Sequence, residues 1–178
     1  ERAFTWFAID EGVYTAAEHG IAMEAVKFTS TLTDKKNSWT GQSRTYQNTY
    51  ANPVVFGQVM SADDANWSVF WCSGSSSSSP PSASTLKVGK HVGEDPNTTR
   101  QDETIGYVVI ESGSYDFGSY NLITALGADS ITWLSSNNFY SNVSGDITGL
   151  TQAAMDGGDG SWAVSRGAVS PTQLAISV

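Results

Sequence analysis

The 178-residue chain is long enough for one large or two small domains with buried cores, and 39% of its residues are hydrophobic. Its net charge of −9 excludes a nucleic-acid partner, because binding phosphates requires cations that neutralise them. The single cysteine, Cys72, excludes an intrachain disulfide, and no apolar run is long enough to cross a bilayer.

The chain reads as a series of short strands separated by turns. Aromatic residues are frequent, turn formers cluster between apolar runs, and no stretch has the period and caps of a helix. In chain order the expected strands are 4–9, 22–32, 41–49, 53–60, 67–72, 85–91, 104–111, 122–133, 147–154, 161–166 and 172–177. This spacing predicts an all-β fold of the sandwich or jelly-roll type. Cys72 falls in one of these strands, where we expect a buried free thiol.

An internal repeat is the strongest signal in the sequence. Residues 55–71 (VFGQVMSADDANWSVFW) align without a gap with residues 150–166 (LTQAAMDGGDGSWAVSR). Each stretch has the pattern of a strand, a polar turn and a second strand, which predicts a hairpin. The aligned pairs include Met60 with Met155, Trp67 with Trp162, Val69 with Val164, Leu86 with Leu174, and Val88 with Ile176.

The second copy of the repeat lacks the last strand of the first. Val178 aligns with Lys90, after which the first copy continues through a polar loop into the apolar stretch ETIGYVVIESG at 103–113. The N-terminal stretch RAFTWFAIDEG at 2–12 resembles that missing strand, and both are followed by a similar connector. Aligned pairs are Phe4 with Ile105, Trp6 with Tyr107, Phe7 with Val108, Ile9 with Ile110, Gly12 with Gly113, and Glu24-Ala25-Val26 with Thr124-Ala125-Leu126. A chance likeness of two apolar strands is the alternative.

The repeat divides the chain into five parts. We expect an N-terminal donor strand at 1–12, a connector at 13–24, a β-sandwich at 25–113 (the first copy), a second connector at 114–124, and an incomplete β-sandwich at 125–178 (the second copy). The first residue is Glu1 rather than Met, which is typical either of a mature, processed product or of a segment of a longer chain.

A sandwich without one strand has an open edge and an uncovered core, and both invite pairing with another chain. The sequence therefore predicts a homopolymer in which the N-terminal strand of one subunit enters the second copy of its neighbour, head to tail. The expected donor residues are Ala3, Phe4, Thr5, Trp6, Phe7, Ala8 and Ile9, which form the donor segment. The expected acceptor residues are Trp162, Val164, Leu174, Ile176 and Val178. Closure of the donor segment on its own chain, giving a monomer, is the alternative.

Three stretches carry a resemblance to known proteins: NPVVFGQVMSADDANWSVFW, the segment from PPSAS to GYVVIESG, and AAMDGGDGSWAV. They resemble tandem β-sandwich repeats of large bacterial surface proteins, which are distantly similar to H-type lectin domains. The split arrangement resembles donor-strand pilus subunits and filament protomers of uncultured environmental bacteria. This resemblance implies an extracellular or cell-surface structural protein. No set of sugar-binding residues matches the lectins.

The sequence does not indicate an enzyme or a cofactor. The two histidines, His19 and His91, lie in expected turns or loops and outside any known catalytic motif. The acidic residues Glu94, Asp95, Asp102 and Glu103 could bind calcium, but their spacing matches no calcium loop, and Lys90 or Arg100 could pair with them instead. We therefore expect no catalytic site and no metal site.

Glycans could bind to the chain or be attached to it. Asn66, Asn97 and Asn142 begin glycosylation triplets in expected surface turns, and the exposed, extended loop Ser75–Ser79 could carry O-linked sugars. Trp67 and Trp162 could stack on sugar rings, although their equivalence in both copies favours a packing role. A monomeric carbohydrate-binding or adhesive module is thus the alternative to the filament subunit.

Overall fold

The computed structural model describes residues 8–127, 129, 131, 139–141, 149–165 and 173–177. These residues form thirteen strands and one short helix, so the predicted all-β fold is confirmed. The elements are β1 (Gly12–Tyr14), α1 (Ala16–His19), β2 (Met23–Ser30), β3 (Thr33–Asp34), β4 (Gln42–Arg44), β5 (Pro53–Val59), β6 (Val69–Ser73), β7 (Leu86–His91), β8 (Glu103–Glu111), β9 (Gly113–Asp116), β10 (Asn121–Thr124), β11 (Phe139–Ser141), β12 (Val164–Ser165) and β13 (Gln173–Ser177).

The first sheet is antiparallel and has the order β1-β2-β8-β5. Its edge strand β1 is joined to β2 by the four-residue helix α1. Thr15 caps the start of this helix, and Gly20 ends it in the left-handed conformation, at φ 72°, where a residue with a side chain would be strained. His19, expected in a turn or loop, is the last residue of α1.

The second sheet is built around β7. Strand β6 pairs antiparallel along one edge of β7, while β4 and β3 pair with successive parts of its other edge, antiparallel and parallel respectively. Asp34 fixes the loop between β3 and β4, since its carboxylate accepts hydrogen bonds from the N–H groups of Thr40 at 2.9 Å and Gly41 at 3.0 Å.

The two sheets bury one apolar cluster between them, which is consistent with a β-sandwich. Both sheets supply fully buried side chains to this cluster, among them Val55 and Ile105 from the first sheet and Leu86 and Val88 from the second. Cys72 belongs to the cluster and has no exposed surface, so the predicted buried free thiol is confirmed. Burial raises the pKa of this thiol, which therefore stays protonated at neutral pH.

The predicted hairpin at 55–71 is wrong. Strand β5 pairs with β8 in the first sheet, whereas β6 pairs with β7 in the second, so the chain crosses between sheets at 60–68. A polar turn predicts a reversal of direction but does not show which strands pair. The Ser75–Ser79 loop is exposed as predicted but is not extended, because Gly74 donates a backbone hydrogen bond to Ser79 at 2.6 Å and closes a tight turn.

The second copy forms smaller sheets in the part that is described. Strands β9 and β10 make an antiparallel hairpin, and β11-β13-β12 make a three-stranded antiparallel sheet. The predicted strand 147–154 is not observed over 149–154, where the backbone has no strand conformation. The second, incomplete sandwich module thus remains a prediction.

Candidate assembly site

Strand β8 is an inner strand of the first sheet and is covered on both faces. All eight residues of β2 and all seven of β5 face partners on it. Ile105, Tyr107 and Val109 fill the core between the two sheets, while Val108 and Ile110 pack on the opposite face against the connectors. Without this strand, β2 and β5 would lose their common partner and the core would open to solvent.

A carboxylate at each end of β8 holds a neighbouring loop. Glu103 accepts hydrogen bonds from the hydroxyl of Ser61 and, at 2.9 Å, from the N–H of Asp64. Burial alone would raise the pKa of Glu103, but these hydrogen bonds bring it below its ordinary value, so the group is ionised at neutral pH. Glu111 accepts hydrogen bonds at 2.8 Å from two consecutive backbone N–H groups just before β5.

The connectors that follow the donor segment and β8 have the same local geometry. The Tyr14 hydroxyl donates to the carbonyl of Asp10 at 2.8 Å, and the Tyr115 hydroxyl donates to the carbonyl of Glu111 at 2.7 Å. In both connectors a glycine lies two residues before the tyrosine, next to its ring. Both tyrosines pack against the apolar cluster around Ile110. The structure thus supports the alignment of these two connectors residue by residue.

The strand pairing in the second connector changes the predicted match between the strands that follow, β2 and β10, by one residue. Gly12 lies opposite Ala25, and its equivalent Gly113 lies opposite Thr124. Ala25 therefore corresponds to Thr124, one residue earlier than its predicted match Ala125. A one-residue slip exchanges the two faces of a strand, so this correction decides which side chains of the second copy face its interior.

The sheet around β13 pairs as the sheet around β7 does. Leu174 on β13 lies opposite Tyr140 on β11, as Leu86 on β7 lies opposite Arg44 on β4. Strands β12 and β6 then pair antiparallel with the central strand of each sheet, although Val164 pairs with β13 two residues earlier than its equivalent Val69 pairs with β7. The second copy therefore reproduces part of the second sheet of the first copy.

Of the first sheet, the described residues of the second copy reproduce only the pairing of β1 with β2, as β9 with β10. Beyond β10, residues 125–127 and 149–154 form no strand, although they align with the parts of β2 and β5 that pair with β8. Ile123 keeps 46% of its surface exposed, whereas its equivalent Glu24 faces the core and is fully buried. An apolar side chain is thus left in solvent where the first copy has its interior.

Residues 149–160, the docked segment, lie against the first copy instead. The N–H of Cys72 donates to the carbonyl of Gln152 at 3.2 Å, and the N–H of Asn37 donates to that of Gly158 at 2.8 Å. Lys36 forms exposed ion pairs with Glu94 at 3.1 Å and with Asp159 at 2.9 Å. Further hydrogen bonds join Gly57 with Thr151, Ser77 with Met155, and Glu94 with Gly160.

The structure places some of the predicted interface residues. Ala3 to Phe7 and Val178 lie outside the described residues, as do the side-chain surroundings of Leu174. Ala8 is exposed, while Ile9 packs against the cluster around Ile110. In the second copy, Ile176 is buried and Val164 is 43% exposed. Their contact with a donor segment stays a prediction.

The equivalent tryptophans of the two copies contact each other. The rings of Trp67 and Trp162 meet edge to face with their centroids 5.2 Å apart, next to Gly93. This contact supports the predicted packing role. Trp67 nevertheless keeps 57% of its surface exposed.

Three of the four acidic residues of the 94–103 loop, Glu94, Asp95 and Glu103, are bound by protein donors. Arg100 pairs with Asp95 at 2.7 Å, and the N–H of Asn97 together with Arg100 holds the pKa of Asp95 below its ordinary value. No group of three metal-ligating side chains occurs among the residues described above. Of the predicted glycosylation sites, Asn66 and Asn97 are exposed, and Asn142 lies outside the described residues.

Several buried polar side chains were not expected from the sequence. His91, predicted in a loop, ends β7, is only 1% exposed and stacks on Trp39 at 3.9 Å between ring centroids. Lys90 is fully buried and donates to the carbonyl of Gln101. Burial lowers the pKa of Lys90, and the attraction of Glu103 opposes that shift. Lys90 and His91 are adjacent in β7, and polar residues of this kind are ordinarily exposed, so no sequence signal marked either side chain as buried.

The chain matches no family model, no curated protein and no solved structure. Among the helices that the structure describes, none has the length and hydrophobicity to cross a membrane.

Proposed function

We propose that the protein is a structural subunit of an extracellular filament. Subunits join head to tail when the donor segment of one chain enters the second copy of the next. The observation that carries this proposal is the position of β8, an inner strand that both β2 and β5 require as a partner. The second copy of these 178 residues contains no counterpart of β8, whereas the donor segment is its closest match in sequence.

The order of the connectors along the chain supports a donor segment that comes from another subunit. Strand β8 runs from the interior of the first copy directly into β9, the partner of β10 at the start of the second copy. The donor segment leads in the same way into β1, the partner of β2 at the start of the first copy. By this equivalence the donor segment comes from the unit before the first copy. Since the second copy of the same chain comes after it, the slot belongs to a neighbour. Such a contact does not close and propagates into a fibre.

Negative-stain electron microscopy of the full chain tests this proposal directly, and we expect filaments. A variant lacking residues 1–7 keeps the acceptor slot but has lost the large side chains Phe4, Trp6 and Phe7 of the donor segment, so it should form no filaments by itself. Mixed with the full chain at a substoichiometric ratio, it should occupy donor segments and stop growth, which shortens the filaments.

The monomeric carbohydrate-binding alternative predicts a different result. If the donor segment closes on its own chain, the full chain elutes as a compact monomer at micromolar concentration. The shortened variant then has no effect on its size. That outcome, or filaments formed by the shortened variant alone, would overturn the proposal.

A further inference from the structure

The inner-facing residues of β8 each lie between one residue of β2 and one of β5. Ile105 lies between two large side chains, Phe28 and Val59. At the other end of the strand, Val109 lies between Glu24 and Val55. These triplets define how much volume the strand must supply at each position of the core.

The same triplets can be written for the second copy. The connector pairing aligns Ala25 with Thr124, and the ungapped repeat aligns Met60 with Met155. The residues that would flank the donor segment are then Gly127 and Ala154 around Phe4, Ala125 and Gln152 around Trp6, and Ile123 and Leu150 around Ala8.

Compared with the first copy, the side-chain volume of the donor residue changes in one direction and that of its flanking residues in the other, and this holds at both ends of the strand. At one end the donor residue is larger, Phe4 for Ile105, and both flanking residues are smaller: Gly127 and Ala154 replace Phe28 and Val59. At the other end the donor residue is smaller, Ala8 for Val109, and both flanking apolar residues are large: Ile123 and Leu150 replace Glu24 and Val55. At the middle position Trp6 replaces Tyr107, with one flanking residue smaller and one larger.

We infer that this exchange of volumes makes Phe4 and Ala8 the residues that select the second copy of another chain and fix the register of insertion. The inference rests on the proposed function. A donor segment shifted by two residues would keep the same face inward but would place Trp6 between Ile123 and Leu150, where overpacking opposes it. Residues 150–154 must leave the first copy to form this pairing.

Two reciprocal pairs of substitutions in the full chain test the inference. Ala154→Val crowds Phe4, and Phe4→Ile leaves a void beside Ala154, so each should raise the critical concentration for filament assembly about ten-fold. The double variant, which restores the first-copy combination, should return to within about three-fold of the wild type. Ala8→Val and Leu150→Val form the second pair, with the same expected rescue. Leu32→Val, which shortens a 41% exposed side chain outside the donor segment and the second copy, is the matched control.

The possible results separate the inference from the proposed function. Rescue in both pairs supports volume matching. Additive losses, or single variants that assemble normally while wild-type filaments form, overturn it and leave the filament function intact. Absence of wild-type filaments overturns the proposed function itself. Thermal unfolding below the critical concentration shows whether a variant has lost its monomer fold. If a variant of one pair has lost it, the rescue or its absence in the other pair of substitutions decides the inference.

Discussion

His91 is a titratable side chain held in the interior of the first copy. Its Nδ1 accepts a hydrogen bond from the N–H of Gly93 at 2.9 Å, and its ring stacks on Trp39. Protonation of Nδ1 would remove that hydrogen bond and place a charge in the core. Burial therefore lowers the pKa of His91, against the opposing attraction of Asp34 and Glu94.

We predict that His91 makes the stability of the fold depend on pH. A histidine with a lowered pKa in the folded state binds protons more readily when unfolded. Its contribution is therefore complete above about pH 6.5, the ordinary pKa, and is lost as the pH falls toward the folded-state value. Urea unfolding at pH 7 and pH 5 should show a smaller loss of unfolding free energy for His91→Gln than for the wild type. Each unit of pKa difference corresponds to about 1.4 kcal/mol.

His19→Gln is the matched control, because it removes the other histidine at an exposed position at the end of α1. It should keep the wild-type dependence on pH. A wild-type and a His91→Gln chain that lose the same free energy between the two pH values would contradict the prediction.

The buried polar residues show which cases of burial can be predicted from a single position of the sequence. Cys72 could be placed in the core because a free thiol in an apolar strand has few other environments. Glu24 and Lys90 could not, since their partners are distant in sequence: Glu24 accepts a hydrogen bond at 2.7 Å from the N–H of Gln47. Such partners become known only when the strands are paired.

At the scale of elements, the docked segment occupies a surface of the first copy while its sequence favours a strand. Residues 150–154 align with β5, yet the Gln152 carbonyl accepts a hydrogen bond from Cys72 and the Thr151 hydroxyl accepts one from Gly57, and no strand pairing forms. The apolar pattern was sufficient to predict β8, expected at 104–111 and found at Glu103–Glu111. It was insufficient for 149–154, because an apolar segment forms a strand only beside a pairing strand, and this segment pairs with none among the described residues.

Substitution of Gly160 should release the docked segment. A Cβ added at Gly160 would lie 2.2 Å from the backbone of Gly93, which cannot move aside at low cost, so Gly160→Ala should separate the two surfaces. Gly157→Ala is the control in the same loop, because its Cβ would approach an atom no closer than 3.8 Å.

Hydrogen exchange provides the measurement for this prediction. The amides of Cys72 and Asn37, which donate to the docked segment, should exchange faster in Gly160→Ala and unchanged in Gly157→Ala. Filament assembly should also begin sooner in Gly160→Ala, because donor pairing requires 150–154 to be free. Unchanged exchange at both amides in Gly160→Ala would contradict this account of the docking.

At the scale of the whole molecule, the link between the two copies is a nearly continuous β-segment. Strand β8 ends at Glu111 and β9 begins at Gly113, so one stretch of chain serves two units in succession. The likeness of 2–12 to 103–113 predicted this arrangement from the sequence, and the two tyrosine hydrogen bonds support it at Asp10 and Glu111. Which chain receives the donor segment is a property of the assembly rather than of one subunit.

A designed disulfide can identify the receiving chain. Gly106 lies opposite Lys27 in the first copy, and the equivalent pair across the proposed interface is Thr5 and Leu126. Directly opposed residues of antiparallel strands have Cα atoms about 4.5–5.5 Å apart, within reach of a disulfide. The native Cys72 is buried and should not compete.

Oxidised filaments of the chain carrying Thr5→Cys and Leu126→Cys should therefore run as a ladder of covalent multimers on a non-reducing gel, and collapse to one band on reduction. The control carries Thr5→Cys and Lys27→Cys, and it should give no ladder, because the strand position opposite Lys27 is already occupied by Gly106 of the same chain. A closed monomer would instead yield a single internally bridged band with Leu126→Cys at every concentration. The ladder requires that consecutive subunits each donate one strand and accept another, which distinguishes an open head-to-tail polymer from a pairwise exchange that stops at two chains.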